Sequence, residues 1–181
     1  MRRLLLISGL VSALALSWNP APASAQPTPD RAAAEVEAVI AAGDGVKLDA
    51  IALANAGCGA SCDGKDPQSF KIYYDGTRYY TCAEDAITPK LSTGYLYRVS
   101  SPLGNVELRY SPRCRTAWAR TSAGAVRFKV VSRYTSGTHR TTMTGASPAS
   151  WTVMVNDANL EAQACYQPVG PYDGWECTRW Y

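Results

Sequence analysis

The sequence predicts a mainly β (α+β) chain: a small antiparallel barrel or sandwich, cross-linked by disulfides and led by an N-terminal helical segment. Three observations predict it. From residue 58 onward, short apolar and aromatic runs recur roughly every dozen residues between Gly and Pro, the rhythm of short strands and turns. Six cysteines, Cys58, Cys62, Cys82, Cys114, Cys165 and Cys177, all lie in that stretch. Residues 30–56 are instead rich in helix formers at helical spacing. With 181 residues, 46% of them hydrophobic and 18% charged, the chain suits one folded domain and is too apolar for wholesale disorder.

Residues 1–25 read as a secretory signal peptide. Arg2 and Arg3 precede an apolar run from Leu4 to Leu16, and Ala23-Ser24-Ala25 supplies small residues for cleavage. The run is too short for a spanning helix, which needs about 20 apolar residues. The expected product is secreted, extracellular or cell-wall associated, with no transmembrane anchor. Removing Arg2 and Arg3 lowers the formal charge of +3 to +1.

Residues 26–57 form a helical leader or linker. Val36, Val39 and Ile40 share one side of a helix over 30–42, and Leu48, Ile51 and Ala52 one side of a second over 46–56, stopped by Gly57. Residues 58–181 form the disulfide-bonded β-rich domain. Asp75-Gly76 between two Tyr-rich runs predicts a hairpin with both turn positions at positive φ. Tyr95 to Ser100 and Val106 to Tyr110 make a second hairpin through Pro102, Gly104 and Asn105. Ser111-Pro112 has the form of a helix start, predicting a short helix to Arg120 with Cys114 and Trp118 on its buried face. Val126, Phe128 and Val130 alternate with Arg127 and Lys129 as a half-buried strand, and Trp151 to Val155 suggests another. The tail reads as turns and aromatics. There is no internal repeat or coiled-coil pattern, and nothing specifies an oligomer.

An even number of Cys in an exported chain implies three disulfides, for which 15 pairings exist. Cys165 and Cys177 stand apart and close a short loop, so they are expected to pair, leaving four to pair among themselves. A zinc or redox reading of Cys58 and Cys62 lacks both a His or Cys partner pair and the Cys-x-x-Cys spacing.

Charge is segregated. From Leu108 to Asn156 there is no Asp or Glu, while Arg109, Arg113, Arg115, Arg120, Arg127, Lys129, Arg133 and Arg140 give that segment +8. Such a surface suits phosphate or carboxylate polymers, which guanidinium binds bidentately. Tyr110, Trp118 and Tyr134 could stack on sugars. The competing expectation is that these cations pair with the acidic amino-terminal half within the molecule.

Catalytic patterns are weak. His139 is the one His, in a loop-like Ser/Thr/Gly stretch, and a triad with Asp157 has no supporting spacing. Asp63, Asp66, Glu84, Asp85 and Glu107 could supply a carboxylate pair, or Ca²⁺ ligands in the case of the first four, but no EF-hand or phosphate-loop motif is present. No metal and no cofactor is expected.

Three stretches resemble one family. Cys62-Asp63-Gly64-Lys65-Asp66-Pro67 is followed by Cys82-Ala83-Glu84-Asp85-Ala86 and by Glu107 to Cys114 with Thr116-Ala117-Trp118-Ala119-Arg120. In this order they resemble the exported bacterial family catalogued as domain of unknown function 2690, over residues 58–135. The resemblance implies no activity and no catalytic residue; similar domains fused behind helix-turn-helix and membrane segments imply a sensing or binding module. The Tyr-rich hairpin and Cys165 and Cys177 depart from the shorter family pattern. The motif itself reads as structure: a strand with Leu108 and Tyr110 inward and Glu107 and Arg109 outward.

The expected function is an exported non-catalytic module binding an anionic cell-envelope polymer or acidic glycan through Arg109, Arg113, Arg115, Arg120, Arg127 and Arg133; nucleic acid is not the expected partner. The alternative is a secreted enzyme or enzyme inhibitor acting on the envelope or on competitors.

Overall fold

In chain order a computed structural model contains α1 (Pro29–Ala41), β1 (Gly45–Lys47), α2 (Ala50–Ala56), a 3-10 turn (Gly59–Cys62), β2 (Lys71–Asp75), β3 (Arg78–Tyr80), β4 (Arg98–Ser101), β5 (Gly104–Ser111), β6 (Thr116–Arg120), β7 (Ala125–Tyr134), β8 (His139–Ala146), β9 (Val155–Asn156), β10 (Leu160–Pro168) and β11 (Glu176–Cys177). It describes residues 28–102, 104–122, 125–146, 148–168 and 174–181, so the expected signal peptide lies outside the described residues. The mainly β class with a helix near the N-terminus is as expected, and the architecture is sandwich-like rather than a closed barrel.

Two four-stranded sheets, in the orders β4-β5-β6-β9 and β11-β10-β7-β8, form the sandwich. Their facing sides bury Val106, Leu108, Ala117, Ala119, Phe128, Val130, Val155, Ala162, Ala164 and Tyr166. The four alanines leave room for Phe128 and Tyr166, so large and small side chains interleave between the sheets. The Tyr166 hydroxyl is satisfied by Ser101 at 2.8 Å and Glu176 at 2.7 Å. Gly145 lies opposite Phe128, and a Cβ there would sit 2.6 Å from the ring.

The other face of β6 is covered as well. Trp118 belongs to a second core with Leu53, Cys58, Cys62, Phe70, Ile72, Tyr80, Cys82, Cys114 and Met154. Bridges Cys58–Cys62 and Cys82–Cys114 lie in this layer, and Cys165–Cys177 joins β10 to β11, the pair expected from the sequence. A small sheet, β1-β2-β3, with β1 parallel to β2, completes the layer.

Several elements differ from expectation. The second helix is shorter, because Gly45–Lys47 pairs with β2 and Asp49 caps the helix by accepting from Ala52 N at 2.8 Å. Gly57 ends it at φ 60°, where a Cβ would lie 2.0 Å from the Cys114 carbonyl oxygen. The Tyr-rich hairpin is present, but Asp75 pairs with Arg78, so the turn centres on Gly76 and Thr77 and only Gly76 has positive φ. The helix expected from Ser111 is a single turn. Ser111 Oγ accepts from Cys114 N and Ser111 O from Arg115 N; Arg115 then turns to φ 54°, and the chain enters β6. Thr116, Trp118 and Arg120 alternate there with Ala117 and Ala119, a period of two that overrides the cap signal. The stretch around His139 is strand β8, paired along β7, and the tail contributes β10 at the centre of its sheet.

Two stability outcomes are expected. Replacing Cys82 and Cys114 by Ala, which opens a 32-residue separation, costs about 3–4 kcal/mol by denaturant unfolding, and replacing Cys58 and Cys62 about 2 kcal/mol. Gly145→Ala costs about 1–3 kcal/mol through overpacking against Phe128.

Candidate anion-binding cleft

Strand register builds the site. Arg98 on β4 lies directly opposite Glu107 on β5, which lies opposite Arg120 on β6, with Trp151 bridging next to Arg120. The row stands on the face of the sheet turned away from the sandwich core. Arg98 Nη2 donates to Glu107 Oε2 at 2.5 Å, and Arg120 donates to Oε1 through both Nε and Nη2. The Glu107 side chain is 5% exposed, whereas Arg98 and Arg120 remain 48% and 47% exposed. Burial opposes ionisation of Glu107, but the hydrogen bonds and charges of Arg98 and Arg120 outweigh it and hold the carboxyl below its ordinary range. Glu107 is therefore not the outward-facing side chain expected, because Arg98 and Arg120 close over it from the neighbouring strands.

Arg109 follows two residues along the same face. Its guanidinium donates to Thr88 Oγ1 at 2.9 Å and to Ala86 O at 2.6 Å. Burial first, then repulsion from Arg120, lowers its pKa, with Glu107 opposing. Two guanidiniums thus pair with one carboxylate and a third, that of Arg109, lies farther along the same face, an excess of two positive charges. Arg98, Asn105, Glu107, Arg120, Thr121 and Ser122 line a cavity of about 220 Å³, and Arg120 also walls a smaller one of about 90 Å³ with Arg109, Trp118 and Trp151. The exposed sides of Arg98 and Arg120 give the larger cavity donors for an oxyanion.

The structure brings Arg109 and Arg120 together and disperses the other expected cations. Arg113 stacks 4.4 Å from the Tyr80 ring centroid. Arg115 donates to Asn55 O at 2.7 Å and Asn159 Oδ1 at 3.1 Å. On the outer face of the second sheet, Arg127 donates to Gln167 at 2.8 Å, while Arg133 donates to Glu161 at 2.6 Å and lies 3.8 Å from the Trp180 ring centroid. Arg140 pairs with Asp63, so cancellation against the acidic half does occur, at Arg120 and Arg140. Trp118 is 4% exposed and is no stacking platform. Arg98 precedes the acid-free segment, so the charge pattern does not mark it. A two-residue loop between Ser101 and Gly104 would have placed it opposite Glu107.

The acids considered for chemistry are held by their own chain. Asp63 accepts from Arg140 and Asn156 N, Asp66 from Trp151 Nε1, Glu84 from Thr81, and Asp85 from Ser111 Oγ and Arg113 N. Burial acts against ionisation of Asp66, yet the hydrogen bonds from Trp151, Gln68 and Ser69 keep its pKa low. His139 Nε2 lies 3.0 Å from Thr142 Oγ1. Among the described residues, the one cluster of potential metal-ligand atoms is Cys58, Cys82 and Cys114, and all three are in disulfides.

Fold and cleft together define a disulfide-cross-linked β-sandwich with an arginine-framed pocket on one sheet. Residues 60–165 match the family described as protein of unknown function (DUF2690), and the chain belongs to that family. No curated protein and no solved structure matches it.

Asp157 produces a pH dependence. It is 8% exposed, and one carboxylate oxygen has no hydrogen-bond partner. Burial, opposed by Arg115 and helped by Glu161, raises its pKa from 3.8 to about 8. Between those values the folded state binds more protons than the unfolded chain, so this group makes stability fall as pH rises from about 4 to about 8, by up to about 1.4 kcal/mol per unit. Asp157→Asn is expected to remove that slope and to stabilise most above about pH 8; unfolding titrations from pH 4 to 9 check it.

Proposed function

We propose that the chain is an exported, non-catalytic module that binds an anionic cell-envelope polymer in the cleft between Arg98 and Arg120. The observation carrying this reading is the Arg98–Glu107–Arg120 row. One buried carboxylate fixes two half-exposed guanidiniums, and Arg109 adds a charge that the carboxylate does not offset. A repeating phosphate or carboxylate chain supplies the matching charge, and Asn105 and Ser122 add polar groups beside it. Three disulfides suit an oxidising extracellular setting. Among the described residues, no helix is long and apolar enough to cross a membrane. The family match supports the domain and carries no activity with it.

Sedimentation of the oxidised protein with purified cell walls tests the reading. Binding is expected to weaken roughly five- to tenfold between about 0.15 M and about 0.5 M salt, as for a site releasing about two counterions. Arg98→Gln or Arg120→Gln is expected to weaken it further. Glu107→Gln is expected to strengthen binding at low salt, by freeing two guanidiniums, while lowering the unfolding free energy. Binding indifferent to salt and to all three substitutions would remove the proposal.

A further inference from the structure

We infer that strand β8 is an association edge, along which two copies of this chain pair antiparallel so that their β11-β10-β7-β8 sheets join into one. β8 ends its sheet and is bonded to β7 on one side only. The other sheet edges are short: β9 and β11 have 2 residues each, β1 and β3 have 3, and β4 has 4. β8 has 8. A short edge gives an incoming strand little to pair with, whereas a long regular one is a template for it.

The edge is also regular and open. Its register against β7 shifts once, at Arg140, and Thr141 to Ala146 then pair without interruption. That run, Thr-Thr-Met-Thr-Gly-Ala, holds no Pro, no Lys and no acid, so the residues that commonly keep another strand off an edge are missing from it. Every second residue of an edge strand turns its N–H and C=O outward. Among the described residues, the main chain of Thr141 to Gly145 bonds to β7 and to no other segment. The inward side chains carry a second sign. Thr141, Met143 and Gly145 stand opposite Ser132, Val130 and Phe128, all three of them 0% exposed, yet are themselves only half-buried. The core thins at β8 because no further strand flanks it.

Unpaired main-chain groups call for an extended strand, and the sequence of β8 suits a second copy of itself. In a pair two-fold symmetric about Met143, Thr142 of each copy stands opposite Thr144 of the other, Thr141 opposite Gly145, and Arg140 opposite Ala146. Thr–Thr is a favourable cross-strand pair, and no two like charges face each other. The two Met143 side chains, each packed on its own sandwich core, meet on the inner face and close the gap in both. One such edge per copy makes a closed dimer rather than a chain of copies. The inference is independent of the cleft, which lies on the other sheet.

Sedimentation equilibrium of the oxidised protein, with amide hydrogen exchange, tests it. Dimers are expected to form below about 0.5 mM, with exchange at residues 141–146 slowing as concentration rises. Thr142→Lys combined with Thr144→Lys sets like charges opposite across the pair and is expected to weaken dimerisation about tenfold. Thr142→Glu combined with Thr144→Glu is expected to do the same. Mixing the two variants is expected to restore dimers, which misfolded chains would not do. A monomer at about 0.5 mM, a dimer indifferent to both double variants, or no recovery on mixing would overturn the inference. So would a monomer whose residues 141–146 gain protection only from an added Thr-Val hexapeptide, which would assign the edge to a different partner.

Discussion

Glu107 is a buried carboxylate on the face of its sheet turned away from the sandwich core, and the arrangement of the cleft follows from neutralising it. An unpaired charge at that position would cost several kcal/mol. Arg98 and Arg120 meet the requirement from the strands on either side, because the register sets all three directly opposite one another. Pairing costs the arginines little exposure, since each reaches inward with part of its guanidinium and keeps the rest in solvent. A structural need and the proposed binding surface thus share the same atoms. The net attraction of the pairs is partly spent on burying Glu107, so the row is better evidence for a fixed geometry than for high stability.

A second layer covers the neighbouring part of the same face, at Trp118. Two disulfides, the 3-10 turn and the small β1-β2-β3 sheet hold that layer against Trp118 and Met154. The Cys82–Cys114 bridge ties it to the turn that leads into β6, the strand carrying Arg120.

Much of this was legible in the sequence where a pattern was local. The Tyr-rich hairpin, the alternation from Arg127 to Val131 and the Cys165–Cys177 pair each follow from a few adjacent residues, and the family motifs mark the segment that builds the cleft. What was hidden depended on tertiary context. Ser111-Pro112 presents a valid helix start, but Trp118 and Ala119 are drawn to opposite cores and force an extended chain. Strand β10 was missed because its inward residues include Ala162 and Ala164, whose small apolar contrast does not mark a strand. The acid-free stretch contains Arg109 and Arg120, which the fold places on one face, yet charge counting could not show that Arg133 and Arg140 are paired by Glu161 and Asp63. Nor could it show that the row is completed by residues outside that stretch.

The most direct measurement is ¹⁵N NMR of the arginine side chains during titration with inorganic phosphate at low ionic strength. If the cleft is the anion site, the Nε–Hε signals of Arg98 and Arg120 shift first and saturate together, while those of Arg127 and Arg133 stay in place. Uniform, unsaturated shifts across all arginines, or saturation at Arg127 and Arg133 alone, would contradict it.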